Sequence, residues 1–253
     1  MVAAMILSCM TAIGFGVKQL AAGLANQFNL EVSVTMYMII AVIWIALYGF
    51  SAISGIYKGI KLLSSLNMYL AFALLGFVLF FGPTSFIGNM FTTAMGEYLD
   101  RFFKMSLWTD AIDQGGFPQG WTIFYWAWWI AWAPFVGSFI ARISRGRTIR
   151  EFVIGVLLVP SLCGMVWISI FGGTALNLQT TGEADVLSSV NADLSTAIFA
   201  MYEHVTLGGL MSALMILLIS TFLITSANAS TFVCAMYSTQ GELDPPKKRM
   251  GVW

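Results

Sequence analysis

Long apolar runs, separated by short polar connections, dominate the pattern of this chain. A helix needs about 20 such residues, at 1.5 Å per residue, to cross the roughly 30 Å hydrocarbon core of a bilayer. We therefore predict six membrane-spanning helices, at 2–27, 32–55, 62–82, 119–142, 150–175 and 205–237. The chain opens inside the first run and ends where a further span would begin, so we expect it to be part of a longer protein.

Two longer connections separate these runs. In residues 83–118 apolar positions recur at helical spacing, which predicts an amphipathic helix lying along a membrane interface. Residues 176–204 are polar and acidic, and we predict a loop with a short helix near 191–203. Neither connection contains a nucleophile with its base, a phosphate-binding loop or paired carboxylates, so we do not expect an enzyme.

Composition agrees with a membrane protein. Of the 253 residues 58% are hydrophobic and 9% are charged, whereas a soluble domain has about 25% charged residues. The net charge is zero, which gives no support for nucleic-acid binding. The three cysteines lie in apolar stretches without metal-ligand spacing, and His204 stands alone, so no cofactor or metal other than a coupling ion is expected.

Basic residues indicate the orientation. Nine of the twelve follow the second, fourth or sixth span: Lys58, Lys61, Arg142, Arg145, Arg147, Arg150, Lys247, Lys248 and Arg249. Because lysine and arginine collect in cytoplasmic loops, these connections are predicted to be cytoplasmic. Residues 83–118 and 176–204 then lie on the outer side of the membrane.

Five tryptophans fall within residues 121–132. Tyr125, Trp128 and Trp132 follow helical spacing on one face, with Trp129 beside them. Trp128, Trp129 and Trp132 lie deeper than an interfacial aromatic belt requires. Tryptophan faces attract quaternary ammonium groups, so these four residues are the candidate substrate-binding set. The alternative is simple packing between helices.

Two further features of the spans have both a structural and a functional interpretation. Pro134 removes a hydrogen bond two residues after Trp132, either as a structural kink or at a cavity. The sixth span contains a run of small polar residues from Thr225 and Ser226 to Ser230. Such a run allows close helix packing, with hydroxyls bonded back to the helix, or it supplies oxygens to a sodium ion.

Several segments together closely resemble the betaine/choline/carnitine transporter family. They are the tryptophan–arginine stretch 121–150, TIREFVIGVLLVP at 148–160, IFGGTA at 170–175, FSAISGIYKGIK at 50–61 and TSANAS at 225–230. The similarity runs over nearly the whole chain. Members of the family have twelve spans, and this chain resembles the fifth to the tenth.

The resemblance implies an all-α membrane protein with the LeuT-like inverted-repeat transporter fold, here incomplete. Residues 1–82 would be the last three helices of the first repeat. Residues 83–118 would be a periplasmic amphipathic helix and loop, and residues 119–253 the first three helices of the second repeat with a cytoplasmic tail. Half of the substrate site would then belong to helices that precede this chain.

The family's site residues carry over by motif position. Trp128, Trp129 and Trp132 match its substrate-path tryptophans. Phe222, Thr225 and Ser226 match its sodium site, and Phe135 matches a possible second ion site. At the hydroxyl positions of that second site this chain has Met5 and Cys9, which are poor ligands for sodium.

Two further positions bear on coupling. Near the start of the seventh family helix, residues 67–72 contain no lysine or arginine of the kind that replaces sodium in the family's exchangers. This favours sodium coupling. Asn228 stands where many members have aspartate, which alters the polar surroundings of the ion site.

The expected function is uptake of a quaternary-ammonium compatible solute, of the glycine betaine, choline or carnitine type, by sodium symport. We expect a multi-pass protein of the bacterial plasma (inner) membrane and a possible homotrimer. The alternatives are a sodium-independent exchanger of the same family and a truncated, non-transporting remnant or sensor.

Overall fold

A computed structural model describes residues 2–54 and 57–238, and all the regular structure in these ranges is helical. The predicted cytoplasmic tail lies outside the described residues. The helices are α1 (Val2–Phe28), α2 (Val34–Ser54), α3 (Tyr57–Phe81), α4 (Thr84–Asp100), α5 (Phe102–Ser106), α6 (Phe124–Ile143), α7 (Ile149–Thr181), α8 (Val186–Ala192), α9 (Ala197–Glu203) and α10 (Gly208–Ser238). The prediction of an all-α chain is confirmed.

Five stretches within these helices are long and apolar enough to cross a membrane: Ile6–Phe28, Leu62–Phe81, Pro118–Ala141, Ile149–Thr181 and Gly208–Ser238. They coincide with five of the six predicted spans. The described apolar part of α2, Val34–Gly49, is shorter. The second predicted span, 32–55, therefore stays a prediction.

The fifth span is longer than its apolar run suggested. Thr148 and Glu151 form a reciprocal capping box at the start of α7, and Gly182, with φ of 76°, ends it. The polar residues before Gly182 continue the helix because the hydroxyls of Thr180 and Thr181 donate to backbone carbonyls one turn earlier. The prediction that the outer connection begins at residue 176 was wrong for this reason.

The outer connections fold into short helices. The amphipathic helix predicted in 83–118 is α4, which packs on α7 through Ile87 and Gly173. The short helix predicted near 191–203 is present as α9, but it begins only at Ala197. Asp193 has an extended backbone that separates α8 from a short 3₁₀ turn and α9, and its carboxylate accepts the Ser195 N–H at 2.9 Å.

The fourth span begins with a π-helical turn, Pro118–Ile123, and continues as α6. The helix runs on past Pro134 without interruption. The Ser138 hydroxyl donates to the Pro134 carbonyl at 2.6 Å. This local bond occupies a carbonyl in the turn that follows the proline.

Helix α10 is the centre of the structure and packs on α1, α2, α3 and α6. A buried apolar cluster joins its outer half to α3, α7 and the short helices, where Leu74, Phe171 and Phe199 are among the members. A second cluster, with Val17 and Trp44, joins α1 and α2 to α10. A third, around Phe135, Val233 and Cys234, joins α6 to the far end of α10. The space between these clusters is the cavity described next.

Candidate substrate cavity and ion site

A cavity of about 830 Å³ lies between α1, α3, α6, α7 and α10. Most of its lining is apolar, and none of the described residues that line it carries a carboxylate or an ammonium group. Aromatic residues contribute to its wall from five helices: Phe15, Phe72, Trp132, Trp167 and Phe222. A cavity of this kind suits a solute whose charge is shielded and diffuse, because a strongly hydrated ion would find few polar partners there.

Trp132 is the predicted tryptophan that lines this cavity. Its ring meets the Phe135 ring edge to face, with centroids 5.2 Å apart. The indole Nε1 is buried and has no acceptor among the described residues. A buried donor without a partner costs about 1–3 kcal/mol, so this N–H is a site where a polar group of a ligand would be stabilised.

The other predicted aromatic residues lie elsewhere on α6. Trp128 reaches the rim of the cavity indirectly, because it stacks at 5.5 Å on Phe15. Tyr125 and Trp129 line a separate, shallow groove of about 570 Å³ together with Trp121. Trp128 is not among the residues that line this groove, and neither Trp128 nor Trp129 lines the cavity.

The predicted sodium ligands on α10 divide in the same way. Phe222 and Ser226 line the cavity, whereas Thr225 does not. The Thr225 hydroxyl donates to the carbonyls of Thr221 and Phe222, at 3.2 and 2.9 Å. The Thr225 oxygen keeps lone pairs that can bind a cation. The adjacent hydroxyls of Thr225 and Ser226 are therefore suitable ligands for a hard monovalent ion such as sodium, but they supply only part of its coordination shell.

The possible second ion site has weaker support in its residues. Phe135 is buried behind Trp132, in the cluster with Val233. Cys9 is buried at the edge of the cavity, and its thiol is a soft ligand that sodium does not prefer. The side chain of Met5 lies outside the described set, so a role for this site stays a prediction.

Below the cavity, α6 and α10 are joined by a polar contact as well as by the third cluster. The hydroxyls of Ser138 and Tyr237 lie 2.6 Å apart. Since the Ser138 hydrogen is directed to the Pro134 carbonyl, the Tyr237 hydroxyl is the donor. The side chains of α6 and α10 therefore hold the two helices together in this region.

The surroundings of two polar residues, Lys18 and Asn67, become clear only in the structure. In the sequence Lys18 lies within the first apolar span. Its ammonium lies 3.1 Å from the Asp193 carboxylate, so it pairs with an acid. Asn67 is 2% exposed, and its carboxamide has no partner among the described residues. The Lys18–Asp193 pair could not be predicted because the two residues are far apart in the chain. For Asn67, the only signal in the sequence was its position in an apolar span.

The model of the betaine/carnitine/choline family transporters matches residues 1–253 of this chain. A glycine betaine transporter of Bacillus subtilis strain 168 is 43% identical over 93% of this chain and 46% of its own length. A probable glycine betaine transporter of Desulfitobacterium hafniense strain Y51 is 39% identical over 96% of this chain and 48% of its own. An ectoine/hydroxyectoine transporter of Virgibacillus pantothenticus is 39% identical over 100% of this chain and 50% of its own length.

The chain thus spans about half the length of the curated relatives it matches. These relatives are named as transporters rather than as enzymes, and five stretches of this chain are long and apolar enough to cross a membrane. The family match over the full chain and the apolar helices agree with the segments that first carried the resemblance. The chain belongs to the betaine/carnitine/choline transporter family of multi-pass membrane proteins.

Proposed function

We propose that the whole protein takes up a zwitterionic compatible solute with a quaternary-ammonium head, of the glycine betaine type, by sodium symport. The observation that carries the proposal is the cavity beside Trp132, which has aromatic walls, no charged lining among the described residues and an unpaired indole N–H. The names of the relatives support a solute of this class.

The physical argument starts from the cation. A quaternary ammonium has no N–H to donate and is weakly hydrated, so ring faces can replace its water without a carboxylate. Three or four desolvated contacts, at up to about 2 kcal/mol each, reach roughly 6–8 kcal/mol, which corresponds to micromolar binding. In this proposal the unpaired Trp132 N–H donates to the carboxylate of the zwitterion.

Sodium is proposed to bind at Phe222, Thr225 and Ser226, with further oxygens from helices that precede this chain. Phe222 and Ser226 line the same cavity as Trp132, so an ion there would lie beside the bound solute. A cation near the carboxylate of the zwitterion stabilises both ligands, and the coupling between them is reciprocal.

The finer architecture is part of the same proposal. We infer that α1–α3 and then α6, α7 and α10 belong to two inverted repeats of a LeuT-like fold, as the fifth to tenth of twelve spans. The protein would lie in the plasma (inner) membrane, since the named relatives are bacterial, and a homotrimer is the proposed assembly. A sodium-independent exchanger and a non-transporting remnant or sensor are the alternatives to be tested.

The substrate class is tested by binding to the purified full-length protein. Affinity should fall stepwise from glycine betaine through dimethylglycine and sarcosine to glycine, because each lost methyl adds a hydrogen that the apolar cavity cannot satisfy. Choline, which has no carboxylate, tests the need for that group, carnitine tests a carboxylate farther from the onium head, and ectoine tests a cyclic cation. If glycine binds as tightly as glycine betaine, the aromatic site does not recognise the onium head.

A further inference from the structure

Two cysteines that are far apart in the sequence come together between α1 and α10. Cys9 and Cys234 are both buried, at 9% and 4% exposed. The Cys9 thiol is hydrogen-bonded to the side chain of Ser230, which lies one turn before Cys234, and the two thiols are close enough to interact electrostatically. Spacing along the chain gave no metal-ligand pattern, because the pair exists only once the two helices pack.

Contacts farther along α1 and α10 define how the two helices are aligned. A Cβ atom at Gly16 would collide with the Leu223 side chain, and one at Gly23 would collide with Ile216. Residue numbers therefore fall along α10 as they rise along α1, so the two helices are antiparallel. The same alignment, continued two turns back from Gly16, brings Cys9 against α10.

The two cysteine side chains lean toward each other in this arrangement. Each Cα–Cβ bond of a helix tilts toward the N-terminus of that helix. On α1 this direction leads from Cys9 toward the level of Cys234, and on the antiparallel α10 it leads from Cys234 toward the level of Cys9. Ile6, one turn before Cys9, packs against the cluster that contains Cys234. The two sulfur atoms therefore approach each other between the helices.

The sulfur of Cys9 is accessible and has lone pairs that can bind an ion. The Ser230 hydroxyl donates to the Ser226 carbonyl at 2.8 Å, so the Cys9 thiol is the donor in its bond to Ser230. Its lone pairs then remain for another partner. Cys9 also lines the large cavity, so an ion in the cavity can reach the pair.

The chemistry of the pair selects the kind of ion. Thiolate sulfur is a soft ligand that favours copper(I) over hard cations such as sodium. Zinc requires about four ligands, and the described residues contain no group of three or more histidine, cysteine, aspartate or glutamate side chains that could hold a metal. Copper(I) and silver(I) are stable with two sulfur ligands in line.

We propose that Cys9 and Cys234 form a two-sulfur binding site for a soft monovalent cation, copper(I) or silver(I). The ion replaces one thiol proton, which is released to solvent, so that one sulfur binds as a thiolate and the other as a neutral thiol. The site gains no net charge, which suits its apolar surroundings. Trp132 packs on the cluster that contains Cys234, so the ion would lie beside the proposed solute position.

Silver(I) is the probe, because it is stable in air. Cysteines outside this chain are replaced by serine in the full-length protein, which is purified in reduced form in chloride-free buffer. Bound silver is counted by mass spectrometry after dialysis against methionine, a competing thioether. We expect one tightly bound silver ion per chain, release of about one proton per ion, and two sulfur neighbours of silver in its X-ray absorption spectrum.

Cys163→Ser is the matched control, since Cys163 lines the same cavity from α7 and is not part of the pair. It should leave the silver affinity unchanged. Cys9→Ser and Cys234→Ser should each weaken it by at least about 10-fold, because even changes outside the ligand shell cost 10- to 100-fold. Cys9→Ala and Cys234→Ala repeat the test without burying a hydroxyl.

Three results would overturn the paired site. The first is a single sulfur neighbour, or no tightly bound silver, in the protein with all three cysteines, a readout that needs no variant within the pair. The second is an unchanged affinity when either Cys9 or Cys234 is replaced. The third is an equal loss in Cys163→Ser, which would place the ion between α1 and α7. No solute enters these measurements, so failure of the metal site and failure of the proposed transport function are separate outcomes.

Discussion

Trp132 is the residue on which the proposed substrate recognition depends most, because its ring borders the cavity and its N–H has no partner among the described residues. Trp132→Leu in the full-length protein should weaken binding of glycine betaine by about 1–2 kcal/mol, the scale of a desolvated cation–π contact. Trp132→Phe, which keeps a ring, should cost less. The measurement is a binding isotherm by calorimetry.

Trp129 on the same helix supplies the control. Its side chain lines the separate shallow groove, so Trp129→Leu should change the affinity less than Trp132→Leu does. Unchanged affinity in Trp132→Leu, or a larger loss in Trp129→Leu, would mean that the cavity beside Trp132 is not the substrate site.

The two hydroxyls on α10 should contribute unequally to sodium affinity. Ser226 faces the cavity, whereas the Thr225 hydroxyl is also bonded to helix carbonyls. We expect Ser226→Ala to raise the sodium concentration for half-maximal uptake more than Thr225→Ala does, and the double variant to raise it most. Thr221→Ala, which removes a back-bonded hydroxyl one turn away, should have little effect.

The Lys18–Asp193 contact should be insensitive to mild acid. Partial burial raises the pKa of Asp193, but the Ser195 N–H and the Lys18 ammonium outweigh this and hold the pKa below its ordinary value of 3.8. A depressed carboxylate pKa gives stability that is present above 3.8 and is lost only as the pH falls through the lower value of the folded protein.

The difference in unfolding temperature between the full-length protein and its Asp193→Asn variant should therefore stay constant from about pH 8 to about pH 5. Taking the difference cancels the pH dependence of the rest of the protein. A difference that approaches zero near pH 5 would show that the carboxylate is already protonated there, contrary to the ion pair.

The sequence pattern alone was enough to assign the tryptophans of α6 and the hydroxyl residues of α10 to membrane helices, because the length of an apolar run and its helical periodicity determine such assignments. It did not decide which faces meet. Trp128, Trp129 and Trp132 were grouped as one set, yet only Trp132 lines the cavity. Lys18 and Asp193 are far apart in the chain, and nothing local to either residue indicates its partner.

Among the elements, the long apolar helices were predictable and their ends were not. Hydrophobic runs located the five membrane-capable stretches, whereas α7 continues to Thr181 through hydroxyl–carbonyl bonds that hydropathy does not register. The break at Asp193 depends on a side-chain bond to Ser195 and was missed for the same reason.

The connection between α6 and α7 tests the predicted orientation of these elements. It contains Arg145, Arg147 and Arg150, and basic residues are retained on the cytoplasmic side. A cysteine at Ser144 should react with an impermeant thiol reagent in inside-out vesicles and not in intact cells. Labelling in intact cells would show that the predicted topology is inverted and that residues 186–203 lie on the cytoplasmic side.

At the scale of the whole molecule, the chain forms one wall of a site rather than a closed pocket. It spans about half of its relatives' length, and the proposed sodium shell and aromatic box both require further helices. Resemblance of motifs was sufficient to identify the family, since the match extends over residues 1–253. The coupling ion and the substrate do not follow from the pattern, because the proposed sites for both combine groups from distant parts of the fold.

Uptake by the full-length protein in proteoliposomes tests the central claim most directly. Radiolabelled glycine betaine is supplied with an inward sodium gradient, or with potassium in its place. The account predicts accumulation with sodium and none with potassium, and loss of sodium-driven accumulation in Thr225→Ala/Ser226→Ala. Uptake that is equal with sodium and potassium would contradict symport and favour exchange, and sodium-driven uptake that survives the double substitution would place the ion at other residues.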